Sequence, residues 1–91
     1  MLIVVSYDIV DDKKRNQLAK KLLNFGKRVQ YSVFECDLNK QQIEQMKKQT
    51  LKFVNPDEDS LRIYKLCEHC IGQIESFGIK RGWEESDVIV V

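Results

Sequence analysis

One histidine, four glycines and three cysteines are a thin supply of the side chains that most often mark a site in 91 residues. His69 alone excludes a two-histidine metal centre, and the chain has no Gly-rich phosphate loop and no Gly-x-Ser-x-Gly turn. No run of about 18 apolar residues occurs, so no membrane span is expected. The first apolar stretch has neither a basic leader nor a small-residue cleavage site, so a secretory signal is not expected either. An odd number of cysteines, Cys36, Cys67 and Cys70, suits a reducing cytoplasm better than a disulfide framework. Repeats, low-complexity tracts and an interdomain linker are missing too, which predicts one domain over residues 1–91 with room for a single core.

What is present is a balanced globular composition, 43% apolar and 32% charged with a net charge of +1. The charge is unevenly placed. Residues 1–34 hold seven Lys or Arg against three Asp, whereas residues 35–91 hold eight against eleven acids. Such asymmetry marks a surface suited to a polyanion, although the whole falls short of the strongly basic domain of a dedicated nucleic-acid binder.

Leu2 to Tyr7, rich in Ile and Val, reads as a buried strand ending on Asp8. A helix is predicted from Asp11 to about Phe25, with Gly26 as its C-terminal stop. Leu18, Ala19, Leu22, Leu23 and Phe25 make its apolar stripe; Lys13, Gln17, Lys20 and Asn24 face the other way, with Lys14 and Lys21 beside them. Residues 28–36 are extended, as one strand or as two that bend near Ser32, and no Gly or Asn-Gly turn decides between them. Asn39 and Gln42 form a capping-box pattern opening a helix to about Val54. A polar loop at residues 55–59 leads to a strand from Ser60 to Cys67. Residues 70–80 fit either a helical turn or an extended segment. Gly78 and Gly82 frame a turn before the closing aliphatic run Val88–Val91, which must pair with its own sheet or a partner's. The order of elements predicts a two-layer α/β sandwich.

Asp8 invites a functional reading beside the plain one, that it helps start the turn. Asp11 and Asp12 already serve the turn and the helix cap, while Asp8 falls at the carboxyl end of a strand, where ligands collect in α/β sheets. Phosphodiester chemistry needs a cation, and Mg²⁺ commonly takes one or two protein carboxylates with several waters. One Asp8 makes a weak site; two copies across a dimer axis would suffice. Cys67-Glu68-His69-Cys70 is a single CxxC, to be read as a redox pair, as half of a zinc site or, the reading preferred here, as plain structural thiols.

Five blocks then carry a likeness over essentially the whole chain: Val5–Ile9, Asp11–Arg15, Arg28–Glu35, Arg62–Tyr64 and Asp87–Val91. In order and content they resemble the CRISPR-associated protein 2 family, the small subunit of the spacer-acquisition machinery. The resemblance implies an α+β fold, a ferredoxin-like βαββαβ sandwich with an additional C-terminal strand, homodimeric, in which residues 87–91 pair with the partner protomer. It implies a cytoplasmic protein that binds DNA, bridges dimers of the CRISPR-associated integrase, and cleaves RNA or double-stranded DNA with Mg²⁺, Mn²⁺ substituting. By position it makes Asp8 the catalytic metal ligand, supported by Tyr7, Lys13, Lys14, Arg15, Arg28, Ser32 and Phe34. Many relatives carry arginine where this chain has Lys13 and Lys14; lysine keeps phosphate attraction but loses bidentate geometry. The competing expectation is a purely architectural module with no physiological catalysis. A third, an RNA-recognition-type binder, lacks its aromatic, glycine-containing strand.

Overall fold

The structure, a computed structural model, describes residues 1–78, so the closing strand expected at residues 87–91 and the turn at Gly82 lie outside the described residues. Four strands form one antiparallel sheet: β1 (Leu2–Asp8), β2 (Lys27–Gln30), β3 (Val33–Asp37) and β4 (Ser60–Leu66). Their order is β2-β3-β1-β4, with β1 central and antiparallel to both neighbours. Helices α1 (Asp12–Leu22) and α2 (Lys40–Thr50) provide the βαββαβ crossovers, and a 3₁₀ turn follows at Leu51–Phe53. This is the ferredoxin-like topology.

Helix starts follow their side chains. Asp11 caps α1 by accepting from the Lys14 amide at 2.9 Å. Asn39 and Gln42 complete a reciprocal capping box on α2 at 2.8 and 2.9 Å. Leu18, Ala19 and Leu22 of α1, with Ile43 and Met46 of α2, bury against Ile3, Val5, Tyr7, Phe34 and Cys36 of the sheet. Each large aliphatic side chain so buried contributes about 1.5–3 kcal/mol.

Two local readings are corrected. Helix α1 ends at Leu22, not near Phe25, and Leu23 is 57% exposed rather than part of the stripe. Gly26 is no left-handed helix stop, since among the described residues the glycine with positive φ is Gly78 (φ 84°). A Cβ on Gly26 would strike the Glu35 carbonyl oxygen and come within 2.8 Å of the Cys36 Cα, so glycine there lets the chain pass close to β3. Residues 28–36, left open between one strand and two that bend near Ser32, form two. Arg28 faces Phe34 while Gln30 faces Val33, so Val29 is a bulge and the segment is a hairpin turning at Tyr31-Ser32. Of residues 70–80, left open by sequence, Cys70 and Ile71 close the single helical turn α3 (Glu68–Ile71), and residues 72–78 follow without helix or strand.

Gly26→Ala is expected to destabilise the fold by about 1–3 kcal/mol, the range for overpacking a filled site. A domain this size loses about 4–8 °C of melting temperature per kcal/mol, so a thermal melt followed by circular dichroism should show a clear drop.

Candidate functional site

Antiparallel pairing brings the end of β1, the β2–β3 turn and the start of β4 to one edge of the sheet, beside the first turn of α1. Ile3, Val5 and Tyr7 point into the helix-side core. Strand alternation therefore puts Val4, Ser6 and Asp8 on the distal face, away from α1 and α2. There Asp8 stands opposite Ser60, and Ser6 opposite Arg62 on one side and Val33 on the other. Asp8 is exposed, and its carboxylate takes no hydrogen bond or ion pair among the described residues.

The loop behind Asp8 is the opposite case, since its polar groups are heavily used. Arg15 donates from Nη1 to the Ile9 carbonyl at 3.0 Å and pairs through Nη2 with Asp12. Asp59, just before β4, accepts from the Val10 amide at 2.8 Å and from the Asn55 amide at 2.9 Å. Those two backbone donors, helped by the Lys14 charge, hold the Asp59 pKa below its ordinary 3.8. Arg15 and Asp59 thus fix the two residues that follow Asp8.

Tyr7 is 4% exposed. Its hydroxyl donates to the Tyr31 carbonyl at 3.2 Å and its amide to the Ser32 carbonyl at 3.1 Å. Phe34, fully buried, lies 6.2 Å from the Tyr7 ring, and the Arg28 guanidinium sits 5.3 Å above the Phe34 ring. Lys13 and Lys14 are exposed on the first turn of α1. The residues grouped by sequence therefore divide. Asp8, Lys13, Lys14 and the Arg15 clamp gather at the edge, and Ser32 reaches it through its carbonyl. Tyr7 and Phe34 support the site from the core, while Arg28 lies two strands from β1 on the helix side.

Arg62 was missed as a candidate. It is exposed on the distal face, diagonal to Asp8 across the β1–β4 pair, and donates from Nη1 to the Tyr64 hydroxyl at 3.4 Å. That contact raises its already high pKa. Diagonal neighbours lie about 7–8 Å apart, within reach of a long side chain. The signal available in sequence was the alternation of β4, Leu61 and Ile63 inward against Arg62 and Tyr64 outward.

Fold and edge together define a small ferredoxin-like protein whose polar chemistry collects at one end of the distal sheet face. The sequence matches the family described as CRISPR associated protein Cas2 over residues 1–74. It is 44% identical over 77 residues to the CRISPR-associated endoribonuclease Cas2 3 of Synechocystis, covering 85% of this chain and 84% of that one. The structure resembles Streptococcus pyogenes Cas2 with a TM-score of 0.74 and 29% identity, covering 86% of this chain and all of that one. It also resembles a chain of a partial Cas6-RT-Cas1–Cas2 complex, with a TM-score of 0.60 and 34% identity over 77% and 82% of the two chains. The chain belongs to the Cas2 family.

Asp59→Ala is expected to release the Val10 and Asn55 amides while leaving the core intact, read as fast hydrogen exchange at those two positions alone. The folded Asp59 pKa lies below its unfolded value. The clasp is therefore fully formed above about pH 4 and is lost as pH falls through the depressed folded value. Protection of the Val10 amide, taken relative to its intrinsic exchange rate at each pH, should be lost in that acid window in the wild type and be low at every pH in the variant.

Proposed function

We propose that this chain is a spacer-acquisition subunit that binds DNA, bridges the CRISPR-associated integrase, and as a two-fold dimer hydrolyses phosphodiesters at Asp8. The observation that carries the catalytic part is the bare Asp8 carboxylate at the end of a clamped strand, beside Arg15 and Asp59, whose charged groups are committed to holding the loop that follows it. The name of the Synechocystis relative, an endoribonuclease, supports RNA as a substrate. The Cas1–Cas2 complex supports the integrase as partner.

One chain offers only half of the carboxylate pair that would hold a magnesium ion. Among the described residues no group of three His, Cys, Asp or Glu side chains could hold a metal. One exposed carboxylate agrees with a cation that keeps most of its waters, and a dimer axis near β1 would double it. Asp8 and its symmetry mate would then hold Mg²⁺ or Mn²⁺. The bound ion would polarise the phosphate and acidify a water. Around it Lys13, Lys14 and Arg62 attract and orient the nucleic-acid backbone as charged donors. Arg15 and Asp59 hold residues 9 and 10, so that Asp8 keeps one position. Tyr7 fixes the adjoining turn through the Tyr31 and Ser32 carbonyls.

The architectural reading without physiological catalysis keeps its own support, because among the described residues Asp8 belongs to no group of three His, Cys, Asp or Glu side chains. Asp8→Asn separates the two. It preserves size and removes the charge that would hold the ion. Metal-dependent cleavage should fall about a hundredfold or more, since such an ion supplies several kcal/mol to the transition state. DNA binding and support of spacer integration should persist in the same preparation. Undiminished cleavage by the variant would remove Asp8 from the chemistry, and loss of integration alone would assign it to assembly.

Binding itself should be electrostatic. Replacing Lys13 and Lys14 by Ala should reduce the salt dependence of DNA affinity by roughly one unit of slope each, equally for all base sequences. Titrations at several salt concentrations with two unrelated duplexes measure this directly.

A further inference from the structure

Past β4 the chain carries a second chemistry, remote in sequence from Asp8. Cys67 is the first residue after β4, and Cys70 follows within the single turn of α3. Their sulfurs are 3.5 Å apart in hydrogen-bond contact, and both residues are exposed. Exposure removes the structural-thiol reading preferred from sequence, because neither side chain fills a core.

Cys36 supplies the contrast within the same molecule. It is buried against the helices, and burial, with the Glu35 charge adding, pushes its thiol up to about 11. That thiol is protonated and hidden. At Cys67 the shift is reversed, because the Cys70 backbone N–H and the Cys70 thiol both stabilise the sulfur anion. The same contact raises Cys70. The 3.5 Å contact thus favours Cys67 as the attacking sulfur and Cys70 as its hydrogen-bond partner.

A metal is the other use for two adjacent thiols. Closed zinc sites need four ligands, and no cluster of three ligating residues exists among the described residues. His69, held between the cysteines in sequence, adds no such cluster.

We propose that Cys67 and Cys70 form a reversible dithiol–disulfide pair that exchanges with small-molecule disulfides. The Cys67 thiolate attacks one sulfur of the oxidant, forming a mixed disulfide and expelling one thiolate. Cys70 loses its proton to solvent and attacks Cys67 Sγ, closing the protein disulfide and expelling the second thiolate. The protein gives up two electrons and two protons, and the oxidant becomes two thiols. Closure would lock the turn by which the chain leaves β4, whose last residue, Leu66, pairs with Leu2 of the central strand.

The full chain, equilibrated with mixtures of reduced and oxidised glutathione, quenched in acid and alkylated, reads the pair by intact mass and peptide mapping. The wild type should lose two hydrogens in a disulfide mapped to Cys67–Cys70, reversed by dithiothreitol, with Cys36 still alkylated after unfolding. Cys67→Ser and Cys70→Ser should each stop at a single glutathione adduct on the remaining exposed thiol. In the reduced, folded wild type, iodoacetamide should modify Cys67 about tenfold or more faster than Cys36. Three results would overturn the proposal: persistent glutathione adducts on the wild type without ring closure, disulfides joining two copies instead, or stoichiometric zinc shielding both thiols in protein purified without added metal.

Discussion

The Tyr7 side chain and amide are the constraint on which the site edge depends. A buried phenol must spend its hydroxyl on a partner, and Tyr7 spends it on the Tyr31 carbonyl while its own amide takes Ser32. The β2–β3 turn contains neither glycine nor asparagine, so it lacks the residues that make a two-residue hairpin turn stable by itself. It is held from outside, by the central strand. The ring of Tyr7 packs near Phe34, and Phe34 in turn carries Arg28 over its face. One residue therefore sets the end of β1, the position of the turn and the packing of β3 beneath it. Because Tyr7 immediately precedes Asp8, what fixes the hairpin also fixes the acid.

That dependence explains which parts of the structure could be read from sequence. Helix starts were legible because caps are local: Asp11 and Asn39 act on amides three residues away. Strands β1 and β4 were legible from their apolar content and alternation. The hairpin was not, because its turn is stabilised by a residue 24 positions earlier and its alternation is broken by the Val29 bulge. Gly26 was misread for a related reason. A glycine after a helix suggests a left-handed cap, yet here the reason is the approach of β3, whose Glu35 and Cys36 lie nine and ten residues on.

The candidate site divides the same way. Asp8 could be singled out because it was a surplus acid at a strand end. Arg15 and Asp59 could not be given their clamping roles, since each acts on a backbone group of the 9–10 loop, which no side-chain pattern reveals. Arg62 required knowing that β4 lies next to β1 and in which register. The likeness of residue blocks to a family supplied names for positions but not their faces. Tyr7 and Phe34, grouped with Asp8, prove to stand on the helix side of the sheet, while Asp8 has the opposite parity.

This separation of faces has an energetic consequence for the proposed metal. An acid supported only from behind gains nothing from its own chain to offset the weak affinity of a single exposed carboxylate. The missing affinity must come from whatever meets the distal face. If that is a second copy with Asp8 across the axis, two carboxylates repel without an ion and attract one with it. Metal binding and dimer formation are then linked: an ion that binds only the paired state stabilises that state by mass action. Nucleic acid enters the same linkage, because Lys13, Lys14 and Arg62 are joined to the edge that carries Asp8, and phosphate brings further negative charge to the ion. A catalytic Asp8 would therefore make the dimer more stable with Mg²⁺ than without it, whereas a purely architectural dimer, free of the ion, would gain stability from removing the two charges.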